Sequence, residues 1–160
     1  MQSMTNDLRS KIKNYIKSGI AIDELIKDVL IQGENLSYGV INSFDRSNQD
    51  ISNCNLSGAK IAGANLMCAI ADNVNFSHCD LSDSNCRKMS AIGANFMRAN
   101  CKDADLCFAD LRGCNLCDIT VTFSARYLYK TKVSGNVYEL LGRIWVVSDD
   151  ETKMQFSEQR

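Results

Sequence analysis

The chain has 160 residues, enough for one domain with short extensions, and its 45% hydrophobic and 23% charged residues exclude global disorder and a collagen-like composition. Eighteen Lys and Arg against nineteen Asp and Glu give a formal net charge of -1, without the basic excess of a nucleic-acid binder, so no direct nucleic-acid contact is expected. Eight cysteines and no proline are the unusual entries.

The first ten residues are polar and carry no apolar core of a secretory leader. No stretch approaches the roughly 18 consecutive apolar residues that cross a bilayer. A soluble cytoplasmic protein without membrane contact is the expectation, and there the cysteines stay reduced. After Thr5-Asn6-Asp7, the spacing of Leu8, Ile12, Tyr15 and Ile16 predicts a helix that Gly19 ends. Its Arg9, Lys11, Lys13 and Lys17 read as a solvated face. A second helix is predicted from Ile22, Leu25, Ile26, Val29 and Leu30, closed by Gly33. Residues 1–33 are thus read as an N-terminal helical hairpin cap.

From Asp50 the chain repeats every five residues. Of the fourteen positions 50, 55, 60 and onward to 115, eleven are Asn or Asp. The residue that follows is apolar at all fifteen positions from Ile51 to Val121, and the residue before is mostly Ala, Cys or Ser. Neither the helical nor the strand period fits small, Asn/Asp, large apolar, x, x; a chain that turns once per unit does, with small and large residues inward and the Asn/Asp bonding turn backbone.

Ala64-Asn65-Leu66, Ala94-Asn95-Phe96, Ala104-Asp105-Leu106 and Ala109-Asp110-Leu111 resemble the units of pentapeptide-repeat proteins. The resemblance implies an all-β solenoid, a right-handed quadrilateral β-helix of about four coils with four units and twenty residues in each. Gly33-Glu34-Asn35-Leu36-Ser37 keeps the phase, so residues 34–124 are assigned to the β-helix. Twenty residues per coil would place Asn55, Asn75, Asn95 and Asn115 in one structural ladder above a column that includes Phe76 and Phe96. A second face breaks the rule at Ile70 and Ser90, where a bulge or packing compromise is the simpler reading and Met89 would fill the volume left at Ala91. A third column pairs Met67-Cys68, Arg87-Lys88 and Cys107-Phe108; these six residues are the candidate protein-contact patch, with Phe108 in cation–π range of Lys88. Its occupant is a partner or one of the chain's own terminal segments.

Cys114-Asn115-Leu116-Cys117 spells C-x-x-C, but the repeat phase turns Cys114 inward and Cys117 outward, so no shared metal is expected. Cys54, Cys79, Cys86 and Cys101 fall inward; Cys68, Cys107 and Cys117 fall outward. His78 lies on an outward position beside no acid or nucleophile motif, and Gly58, Gly63, Gly93 and Gly113 serve turns rather than a phosphate loop. No catalytic residue, metal ligand or cofactor site is expected.

Beyond the repeat, residues 125–147 combine a β-prone stretch with Val137, Leu140, Leu141, Ile144 and Trp145 on one helical face. They read as a C-terminal cap or as a homodimer contact, the latter implied by the family resemblance. Residues 148–160 form a polar tail. The expected function is a non-catalytic scaffold for an unidentified protein partner. The resemblance supplies an alternative, a DNA mimic that binds type II topoisomerases such as gyrase. Eight acidic against six basic side chains between Asp50 and Ser124 imitate DNA poorly, since a duplex carries about one negative charge per 1.7 Å.

Overall fold

The computed structural model describes residues 4–122, 131–133 and 145–147. Helix α1 (Asn6–Ser18) starts where Thr5 accepts the Leu8 N–H at 3.3 Å and stops at left-handed Gly19, whose N–H bonds the Ile16 carbonyl. Ile12 is its buried contact, and Arg9 reaches Glu34 to fix the helix against the solenoid.

The predicted second helix contracts to α2 (Asp23–Ile26), because the flanking residues have already joined the ladder. Ala21 bridges Val40, and the Gly33 N–H bonds the Ser52 carbonyl at 3.0 Å. Stacking therefore begins near residue 21 rather than 34. Buried Ile26, Ile31, Leu36 and Ile41 already keep the five-residue phase.

The body is a parallel solenoid with a strict register. Bridges join Asn35 to Asn55, Val40 to Lys60, Asp45 to Asn65 and Asp50 to Ile70, and the offset of twenty persists through Asn95 and Asn115. Four bridge positions per coil give it four sides. One unit shows why five residues suffice. The Asn55 N–H bonds Glu34 below and the Leu56 N–H bonds Asn75 above; the Gly58 N–H reaches Ser77, the Ala59 N–H closes the turn onto Leu56, and the Ser57 N–H goes to Asn55 Oδ1. Every backbone donor is used, the last by the Asn side chain. The same side-chain bond recurs from Asp50 to Ser52, Asn75 to Ser77, Asn95 to Met97 and Asp105 to Cys107.

From Asn48 to Asp118 each turn holds its second outward residue at positive φ, as type II turns require. Glycine meets this at Gly58, with φ +64, and at Gly63, with φ +70. At Gly63 an added Cβ meets nothing within 4 Å, whereas at Gly58 it falls 2.5 Å from the Tyr38 ring. Gly63→Ala is expected to cost about 1 kcal/mol, the left-handed backbone penalty alone, and Gly58→Ala more. Urea unfolding of the two variants side by side checks the ranking.

The core consists of inward columns one residue wide. Leu36, Leu56, Phe76 and Phe96 form one, with both phenyl rings at most 1% exposed, stacked at 4.9 Å and 22°. The Phe76 coil carries Cys86 and Ala91 at equivalent inward positions, so a large ring on one side is balanced by small residues on the others. Met89 is fully buried in that coil, and the ladder passes Ile70 and Ser90 without change of offset, so the irregular face is a packing compromise and not a bulge.

The register changes beyond residue 109. Strands β1 (Asn100–Cys101) and β3 (Thr120–Thr122) keep the twenty-residue offset, but β2 (Asp110–Leu111) pairs with β4 (Lys132–Val133) at twenty-two and β3 pairs with β5 (Trp145–Val147) at twenty-five. Trp145, predicted on a helical face, is therefore in a strand that extends the ladder. Val137, Leu140, Leu141, Ile144 and the polar tail lie outside the described residues.

Candidate protein-contact face

The repeat places the outward pairs of one side in register, twenty residues apart. Met67 and Phe108 are each 37% exposed, Lys88 is exposed and Cys68 is half-buried. Arg87 binds Asp105 Oδ2 at 3.1 Å, and its guanidinium carbon stands 5.7 Å from the Phe108 ring centroid. The cation on Phe108 is thus Arg87, not Lys88. The hydrogen bond and charge of Asp105 raise the Arg87 pKa, so the guanidinium stays charged.

Cys107, expected outward, is buried at 3%. Arg87 of the coil below contacts Cys107 as it reaches for Asp105. The ladder residues stand on another side. Asn55 Nδ2 donates to Asn35 at 3.1 Å and Asn95 Nδ2 to Asn75 at 3.3 Å, while Asn115 accepts from the Cys117 N–H.

The inward thiols have no access to chemistry at neutral pH. Burial pushes Cys54, Cys86 and Cys114 up to about 12 and raises Cys79 and Cys101 as well, so all five stay protonated. Cys114 donates its thiol to the Ala91 carbonyl at 2.9 Å, and Cys117 is exposed. Among the described residues no group of three or more His, Cys, Asp or Glu is placed to hold a metal ion, and no helix is long and apolar enough to cross a membrane. His78 is exposed at a turn, with φ 57.

Arg46 escapes a reading by repeat pattern that starts at Asp50. It occupies a large inward position, 3% exposed, beneath the column of Leu66, Cys86 and Leu106. Its guanidinium donates to the carbonyls of Ile26 and Lys27, where α2 ends, and lies 5.5 Å from the Phe44 centroid. Desolvation lowers its pKa, opposed by the charge of Asp45. A lone cation in an apolar series was the available signal. The clefts on either side of it, about 560 and 500 Å³, are lined by carboxylates, amides, Lys27 and apolar side chains, with no cysteine or histidine.

A model of pentapeptide repeats matches this chain in eight copies over residues 50–85, 72–99 and 99–119. Residues 50–119 belong to the pentapeptide-repeat family. No curated protein matches the sequence. Among solved structures, a pentapeptide repeat protein from the Arabidopsis thaliana thylakoid lumen is 22% identical, with 57% of this chain and 64% of that one covered and a TM-score of 0.56. One from the cyanobacterium Cyanothece 51142 is 26% identical over 67% of this chain and 64% of that one, with a TM-score of 0.46. One from Nostoc is 17% identical over 92% of this chain and all of that one, with a TM-score of 0.49. The match thus spans just under two thirds of the first two, and the likeness shows the pentapeptide-repeat fold.

On the neighbouring side of the pentapeptide-repeat body, Ile70 and Ser90 cannot cap their own turns as Asn or Asp does. At the Ser90 turn Asp72 compensates from the coil below, accepting the Ile92 N–H at 2.9 Å and the Ser90 hydroxyl at 2.6 Å. The exposed Ile70 and Ile92 are the visible cost. On the same side Asp110 binds Arg112 at 2.7 Å and Lys132 at 3.8 Å. Hydrogen bonds from the Arg112 side chain hold the Asp110 pKa below its ordinary 3.8. The unfolded chain therefore binds the proton more readily, and the carboxylate's contribution is complete above that ordinary value and lost as pH falls through the folded one. Acid unfolding should show a steepening below pH 3.8 that Asp110→Asn flattens, measured by circular dichroism across pH 5 to 2.

Proposed function

We propose that this chain is a non-catalytic cytoplasmic scaffold, a right-handed quadrilateral solenoid that binds another protein through the face carrying Met67, Arg87, Lys88 and Phe108. The observation that supports it most is Arg87, fixed by Asp105 and laid over Phe108, so that a cation and an aromatic ring are held in place before anything binds, with exposed Met67 on the same face. Preorganisation of this kind reduces the entropy lost on association. Arginine and aromatic side chains are also the types that anchor protein interfaces.

The double substitution Arg87→Glu with Phe108→Ala is expected to remove capture of a partner in an affinity isolation while leaving urea stability within about 1 kcal/mol of wild type. A larger loss of stability with capture intact means that the face is covered by the chain itself. The DNA-mimic alternative predicts inhibition of gyrase supercoiling; with eight acidic and six basic side chains over residues 50–124, no inhibition is expected.

A further inference from the structure

The partner of this face has a candidate in the chain's own charge pattern. On the edge where two sides of the solenoid meet, Met67 and Ile70 are exposed, the latter to 47%, with half-buried Cys68 between them. The ladder runs from Asp50 through Ile70 to Ser90, so Asp50 lies one coil below this apolar group and exposed Lys88 one coil above, each about 4.8 Å along the axis. Asp50 accepts from Gln32 and from the Ser52 N–H, and among the described residues it meets no cation. Lys88 meets no carboxylate among them. An acid below, a base above and apolar side chains midway form a pattern that is its own complement when inverted.

We infer that two copies of this chain pair side by side and antiparallel along this edge, with Met67, Cys68 and Ile70 facing their counterparts across a two-fold axis and each Lys88 opposite Asp50 of the second copy. Resting on the reading of this edge as a contact surface, the inference names its occupant. An isologous contact forms every interaction twice, and an inverted copy brings the coil above onto the coil below. The two ion pairs fix antiparallel over parallel alignment, since parallel packing sets Lys88 against Lys88. The apolar centre contributes the larger share of the association energy.

The test is sedimentation equilibrium of the full chain from about 1 to 200 µM, a range that spans micromolar association. Wild type should dimerise in that range. Lys88→Asp should weaken the dimer at least about tenfold, through repulsion from Asp50 of the second copy, and Lys88→Asp with Asp50→Lys should restore it. Asp50→Asn keeps the turn cap and removes the charge together with the Gln32 hydrogen bond, so a weaker dimer there with unchanged circular dichroism separates pairing from folding. In a Cys117→Ser background a short bismaleimide should join two chains, and Cys68→Ser should abolish the product. A monomer throughout, or a dimer indifferent to both charge changes, overturns the proposal. The contact-surface reading is judged separately by the Arg87→Glu, Phe108→Ala capture experiment, which a monomeric chain can still pass.

Discussion

Phe96→Ala is expected to destabilise the protein by about 3–5 kcal/mol in urea unfolding. Phe96 is 1% exposed and stacks on Phe76 at 4.9 Å, so truncation removes most of a buried ring and leaves Phe76 facing a void. The column is one residue wide, which limits how neighbours can close the gap. Its backbone is held on both sides, with the Phe96 N–H bonded to Asn115 and the Asn95 N–H to Val74. Phe96→Leu supplies the residue already used at positions 56 and 116 of the same column and should cost less than about 1.5 kcal/mol. If alanine and leucine cost the same, refilling the volume recovers nothing and the account of the core as a packed column is wrong.

Arg46→Ala should cost about 3 kcal/mol, the second large effect. The substitution leaves the Lys27 carbonyl without its donor and the Ile26 carbonyl with the Val29 N–H alone, opens a gap under Leu66, and removes the alkyl stem that lines it. Arg46→Leu tests which part matters. It restores the apolar phase of the repeat, yet the Lys27 carbonyl stays unpaired, so a loss of about 1–3 kcal/mol remains. Hydrogen exchange should localise the damage. Amides of residues 21–33 should exchange faster in both variants while those of residues 74–100 keep their protection, because each coil depends chiefly on its nearest neighbours. Equal acceleration along the whole ladder would mean that Arg46 supports the solenoid globally and not its first coil.

The same residue explains where sequence reading stops. From Ile51 to Val121 the apolar phase is unbroken, and the fold class is legible there because each inward position meets the same environment in every coil. Arg46 interrupts that series, and Ile22, Leu25, Ile26, Val29 and Leu30 also satisfy a helical spacing, so the first coil was hidden although Ile26, Ile31, Leu36 and Ile41 keep step with it. Local spacing could not decide between them; the neighbours twenty residues on did. Cys107 and Phe108 show a similar limit. The inward and outward rule treats each unit alone, whereas Cys107 and Phe108 both meet Arg87 of the coil below. Trp145 was misread for a third reason: the offset lengthens to twenty-two at β4 and twenty-five at β5, and a coil of four five-residue units has no place for the added chain.

Those unequal offsets bear on polymerisation. A solenoid of identical coils presents at each end a backbone template that another molecule can continue, the geometry of a growing fibre. Here the N-terminal bridge spans nineteen residues, from Ala21 to Val40, the central bridges twenty, and the last pairings twenty-two and twenty-five. Coils of unequal length stay paired only where the added chain leaves the ladder, as before β4 and β5, so a rim of one length is an incomplete template for another. The interior repeats faithfully, while the two rims differ in perimeter, and that mismatch disfavours head-to-tail growth even where both rims carry parallel strand edges.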